Sequence, residues 1–156
     1  MGNRSTGAIR RSIANQKRVI DGINARITSL SGRIERLETA RDSVDGIYQD
    51  TCTMVDNMAA YDVGIAWQGN LREDWEELKS DAVETGKTYR NAINDIYLAI
   101  DAKIASLSNQ LTEEQTGLAV ANETLRILNN ELLVANWRKG LPELRKKANS
   151  CPRKYR

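Results

Sequence analysis

Few side chains in this chain could do covalent chemistry. Histidine is absent from all 156 residues, so there is no imidazole base, no Ser-His or Cys-His pair and no histidine metal ligand. The two cysteines, Cys52 and Cys151, match neither a metal-site spacing nor a disulfide framework and read as unpaired thiols. The densest carboxylate group, Glu73, Asp74, Glu76 and Glu77, falls at the start of a predicted helix, where acids complement the helix dipole. Gly2 and Thr6 satisfy the short N-myristoylation pattern, which is loose enough to match by chance. No catalytic set, metal site, cofactor or small-molecule substrate is expected, and the chain does not read as an enzyme. The most informative motif is Trp67-Gln68-Gly69. Its ring suits the closed end of an apolar seam, and a glycine two residues on lets the backbone turn sharply.

The elements that would hold such a turn are long helices. Both prolines, Pro142 and Pro152, lie in the last fifteen residues, so nothing earlier forbids helix. From Ile13 the apolar positions step by three and four. Ile13, Ile20, Ile27, Ile34, Tyr48 and Val55 fall at heptad position a; Ile23, Leu30, Leu37, Val44 and Met58 fall at d. Gln16, Arg41 and Thr51 interrupt them as polar occupants. A 3.5-residue period sustained this long is the signature of a coiled-coil-like helix.

A second periodic stretch starts at Leu71 and passes through Trp75, Leu78, Tyr89, Ile93, Ile96, Ile100, Ile104, Leu107 and Leu111 to Leu132. Its steps of three, four and four between Ile93 and Ile104 predict a stutter there. Thr112 and Gln115 fit a capping box that would start a third helix, but the leucine seam runs on across them and favours one helix. Residues 59–70 lose the pattern, and Asn70 or Asp62 could cap the next helix.

The fold expected is all-α: a long antiparallel helical hairpin, coiled-coil-like, with a Trp-x-Gly turn and a basic C-terminal tail. The predicted parts are a flexible basic N-terminus over 1–7 and a hairpin over 8–138. Within the hairpin, one helix covers about 8–59, the turn about 60–70, and the second helix about 71–138. The basic tail occupies 139–156. Two helices bury little surface per residue, so a partner is expected along the seam formed by Ile20, Ile23, Ile27, Leu30, Ile34, Leu37, Ile93, Ile96 and Ile100.

Lys and Arg number 23 against 21 Asp and Glu, a net of +2, yet the charges are segregated. Residues 1–41 hold nine basic and three acidic side chains, a net of +6. Residues 42–101 hold four and thirteen, a net of −9; residues 132–156 hold eight and one, a net of +7. Most of this is solvated surface. No aromatic interleaving or helix-turn-helix pattern accompanies the basic tail, so a nucleic-acid partner is not expected. No apolar run is long enough to span a membrane, and the first seven residues, with no apolar run after them, are not expected to be a secretory signal peptide.

Trp67 and Gly69, followed by Leu71 and Trp75, resemble the turn of the WXG superfamily, small helical hairpins exported by type VII (ESX-like) secretion systems. Leu71 stands where that family has a small residue, and Trp75 where it has Phe. The stretch from Tyr61 to Gln110 looks like the YwqH-like subfamily, encoded beside LXG polymorphic toxins. The family's export signal is an aromatic followed four residues later by an acid, which Tyr97 and Asp101 match. Tyr97 flanking the seam is the structural alternative.

The resemblance implies a helical adaptor that binds the N-terminal helical domain of an LXG-type toxin, with or without a second small helical partner. It also implies residence in the bacterial cytoplasm before export, and export through type VII without a cleavable signal peptide. The alternative is a coiled-coil scaffold or homo-oligomer, in which the Trp-x-Gly is incidental.

Overall fold

The computed structural model describes residues 4–64 and 68–150, without the side chains of 142–150. It is an all-α helical hairpin of two helices, α1 (Thr6–Ala60) and α2 (Asn70–Ser150). Helix α1 starts two residues before the expected boundary because Ser5 caps it. The Ala8 amide, which has no intrahelical partner, donates to Ser5 Oγ at 3.2 Å, and the Ile9 amide makes the first i→i−4 bond of the helix to the Ser5 carbonyl at 3.1 Å. Residues 6 and 7, assigned by sequence to a flexible terminus, are therefore helical.

Helix α2 does not stop near 138. It passes Thr112 without a break, then continues through Gly140 and Pro142 to Ser150. A proline removes one N–H from the ladder while keeping a φ compatible with helix. The first two thirds of the expected basic tail, residues 139–150, are thus part of α2.

The helices contribute to two units: Met1–Ser29 with Leu111–Arg156, and Leu30–Gln110. In the first unit, Ile9, Ile23, Ala121 and Leu128 are buried. Gln16 donates its side-chain amide to the Ala121 carbonyl at 2.9 Å, and Arg26 forks onto Glu114 at 2.7 and 3.0 Å. As residue numbers rise in α1, their partners in α2 fall, so the helix segments of this unit are antiparallel. The small side chain of Ala121 lets the Gln16 carboxamide reach the backbone of the facing helix. A polar group placed this way in an apolar seam favours one register over its neighbours.

In the second unit, Leu30, Val55, Ile93 and Leu107 are buried, with Leu107 and Val55 at 1% and 2% exposure. Arg41 meets Asp101 at 3.5 Å, and Val55 lies against Gly86, again in antiparallel order. Buried Thr51 turns its hydroxyl onto the Ile47 carbonyl at 2.7 Å, which satisfies it without a partner across the seam. Every a and d position of α1 from Ile13 to Met58 is at least partly covered, including the polar Gln16, Arg41 and Thr51.

Candidate functional site

Seam residues are the first place to look for a binding surface, and the hairpin itself consumes many of them. Ile23, Leu30 and Ile93 are buried, while Ile20, Ile27, Ile34, Leu37 and Ile100 are partly covered. A side chain already more than nine-tenths covered has almost no area left for a second protein. Ile23, Leu30 and Ile93 therefore cannot form the partner surface expected of them.

Ile96 is the exception, for a reason that corrects the predicted phase of α2. It is 52% exposed, and Tyr97 takes the covered position. The covered residues run Ile93, Tyr97, Ile100, Ile104, an ordinary four-three-four pattern with no stutter. The stutter lies earlier, where Lys79, Ala82, Gly86 and Arg90 step by three, four and four. Two successive four-residue steps point the middle residue at the facing helix. That residue is Gly86, and a Cβ on it would fall 2.7 Å from Val55 Cγ2. Sequence reasoning missed Gly86 because a lone glycine in a helical pattern usually marks only lower propensity.

The turn is built by both glycines and by two residues on either side of them. Gly64 and Gly69 have φ of 72° and 70°, where L side chains are strained. Asp62 accepts the Gly64 amide at 3.1 Å, and Arg72 reaches the Gly64 carbonyl at 3.4 Å and Asp62 at 3.7 Å. The Gly69 carbonyl accepts the amides of Arg72 and Glu73 at 3.0 and 3.4 Å. Gly69, rather than Asn70 or Asp62, thus occupies the N-cap of α2. Trp75 is partly covered and stands edge-on to Tyr61, with ring centroids 5.7 Å apart. Leu71 is exposed. Trp67 lies outside the described residues.

Tyr97 and Asp101 share one side of α2, and both bear on Arg41 of α1. Partial burial works against the Arg41 charge. The hydrogen bond to Asp101 and the fields of Asp42, Tyr97 and Asp101 outweigh it and hold the guanidinium above its ordinary pKa. In this structure the aromatic–acid pair is thus engaged at the seam.

A different surface remains open in the second unit. Ile47 and Met54 of α1 and Tyr61 just after it recur every seven residues; Leu71, Leu78, Tyr89 and Ile96 do the corresponding work in α2. All seven are between 48% and 67% exposed. Each of Ile47, Met54, Tyr89 and Ile96 immediately precedes a covered seam residue (Tyr48, Val55, Arg90 and Tyr97), and Leu71 and Leu78 precede Arg72 and Lys79. A residue one step before the seam is rotated to the same hand in both helices. Because the helices are antiparallel, that hand brings both rows out on one side of the unit.

Asp50 lies between Ile47 and Met54, and Asp74 between Leu71 and Leu78. Leu30–Gln110 carries eight Lys and Arg against fifteen Asp and Glu, a net of −7. The result is an apolar face with an acidic border. Among the described residues no group of His, Cys, Asp or Glu is placed to hold a metal ion, and no helix is long and apolar enough to cross a membrane. No family model, curated protein or solved structure matches the chain.

Proposed function

We propose that this protein is a helical adaptor: it binds the N-terminal helical domain of an LXG-type polymorphic toxin side by side and helps deliver it to a type VII secretion system. The observation that supports this reading is the apolar face of Ile47, Met54, Tyr61, Leu71, Leu78, Tyr89 and Ile96 on an acidic unit. Exposed apolar area arranged in heptad rows along two helices fits further helices, and its acidic border fits a partner stripe edged by Lys and Arg. The resemblance to the WXG superfamily in Trp67, Gly69 and Trp75 supplies the class of partner. Under the same reading, Tyr97 and Asp101 would serve as the export signal after the seam loosens, and the adaptor would travel from the cytoplasm without a cleavable signal.

Co-expression with the N-terminal domain encoded by the neighbouring reading frame, followed by size-exclusion chromatography, tests the proposal. The wild-type chain should co-elute with that domain. The double variant Met54→Lys, Ile96→Lys should lose co-elution while keeping its helical circular dichroism, since both side chains are exposed. A wild-type chain that elutes alone, or a double variant that co-elutes unchanged, would defeat the adaptor reading.

One observation favours a second reading, a homo-oligomeric scaffold. Met1–Ser29 and Leu111–Arg156 together carry fifteen basic and six acidic side chains, a net of +9. A second copy could therefore offer a basic surface to the acidic face. Light scattering of the chain alone separates the two: a stable oligomer broken by Met54→Lys, Ile96→Lys supports the scaffold.

A further inference from the structure

The unit formed by Met1–Ser29 and Leu111–Arg156 has an exposed side of its own. Val120, Ile127 and Val134 recur every seven residues in α2, and all three are exposed, Val120 at 64%. They immediately precede the covered residues Ala121, Leu128 and Ala135. In α1, Ala8, Ser12, Val19 and Gly22 stand in the same relation to Ile9, Ile13, Ile20 and Ile23. One step before the seam is the same hand in both helices, and in an antiparallel pair it brings both rows out on one side. The α2 row is a ridge of branched side chains. The α1 row is shallow, with Val19 its one large side chain.

Charge divides the same way. Residues 6–29 hold five basic side chains and one acidic, a net of +4; residues 111–134, beside them, hold one and four, a net of −3. Glu113 and Glu131 precede the covered Glu114 and Leu132, so they share the side of the ridge. Glu123, four residues before Ile127, borders the ridge and is tied to Arg126 of its own helix. Exposed Arg11 and Arg18 stand three residues from Ala8 and four from Gly22, and border the shallow row.

We infer that a second copy of the chain binds this side, the two copies related by a two-fold axis parallel to the helices. α1 of each copy then lies on α2 of the other. Ridge meets shallow row and basic helix meets acidic helix, each twice over, as a self-complementary dimer requires. The other two-fold packing, α1 on α1 and α2 on α2, would set ridge on ridge and like charge on like. Heights agree as well. Gln16 meets Ala121 and Arg26 meets Glu114 within the chain, so Val19 of one copy comes level with Val120 of the other, and Glu123 falls between Arg11 and Arg18. Residues 6–29 make about 36 Å of helix and a helix pair is about 20 Å wide, so this side offers about 700 Å². A stable interface covers about 800 Å² on each partner. The dimer does not rest on the adaptor reading and uses no residue of the acidic face.

Light scattering of the full chain over a dilution series tests this. The wild type should be a dimer in 0.1 M NaCl, and 0.5 M NaCl should weaken it severalfold, because attraction between exposed charges is screened. Val120→Gln, Ile127→Gln should raise the dimer dissociation constant about tenfold or more while the circular dichroism stays helical. Arg11→Glu, Arg18→Glu should also weaken the dimer, and adding Glu123→Arg, Glu131→Arg to the same chain should restore it. Met54→Lys, Ile96→Lys, on the other unit, should leave it intact.

Four outcomes overturn the proposal. One is a chain that stays monomeric up to about 100 μM. Another is a dimer that the double glutamine variant leaves unchanged. The third is a dimer that salt strengthens, or a charge reversal that the compensating arginines do not repair, either of which would exclude α1 lying on α2. The last is a dimer that only Met54→Lys, Ile96→Lys breaks, which would make the acidic face its site.

Discussion

Gly86 and Val55 approach so closely that a methyl group on Gly86 would stand 2.7 Å from Val55 Cγ2. A glycine inside a helix ordinarily costs about 1 kcal/mol relative to alanine. Here the missing Cβ is what admits Val55, whose side chain is almost fully covered. Gly86→Ala should therefore destabilise the protein, by about 1–3 kcal/mol of overpacking, against its helix propensity. Val55→Ala should cost about 2 kcal/mol through lost burial. The double variant should be more stable than the sum of the two predicts. Urea titrations of all four proteins check this; additive losses would mean that the two residues do not touch.

The phase of α2 makes a contrast between neighbours. Ile96→Ser changes a side chain that is half exposed and should shift stability by no more than about 0.5 kcal/mol. Tyr97→Ala, one residue on, should cost about 2 kcal/mol because the ring fills a seam position. Thermal melts of both variants decide the matter: a larger loss at Ile96 would restore the stutter between Ile93 and Ile104.

At the turn, Tyr61 and Trp75 should be coupled. Edge-to-face aromatic pairs contribute about 0.5–1.5 kcal/mol beyond their burial. A double-mutant cycle with Tyr61→Ala and Trp75→Ala should recover a coupling in that range. A cycle that closes to zero would show that the 5.7 Å approach of the rings contributes nothing.

Acid should weaken the first unit through Glu114. The hydrogen bond from Arg26 holds the Glu114 carboxyl below its ordinary value of 4.5; burial opposes this and the Arg26 charge adds to it. A carboxyl whose folded pKa is depressed contributes its stabilisation above the unfolded value, and that contribution disappears as pH falls through the folded value. Melting temperature should thus be flat near neutrality and begin to drop below about pH 4.5. Arg26→Gln should make that drop shallower. The neighbouring Glu123 is also lowered, by Arg126 three residues away in the same helix, and Arg26→Gln should leave its share of the titration intact. An identical acid profile in the variant would show that the pair does not couple to folding.

The hairpin was legible because α1 repeats its apolar residues with a heptad period that no polar interruption shifts. Gln16, Arg41 and Thr51 keep the register, and in the structure each resolves its own polarity: onto a facing carbonyl, onto Asp101, and onto its own helix. The turn was legible from the lapse of the apolar pattern over 59–70 and from Gly69. The candidate interaction face was not. The α1 heptad already sets Ile47 and Met54 off the seam, but Tyr89 and Ile96 read as seam residues, and only the position of the opposing helix distinguishes them from Arg90 and Tyr97.

Residue chemistry by itself therefore determined the helical class, the two long helices, the place of the turn and the polarised charge. Periodicity and backbone freedom are local properties, and one chain carries them without reference to any other part. Tertiary structure alone decided that Tyr97 and not Ile96 enters the seam, that the change of step falls at Gly86, and that Gly69 caps α2. These depend on which atoms of a distant segment arrive at a given height along the helix. A contact such as Val55 against Gly86 joins residues thirty-one positions apart, and no period within either helix encodes it.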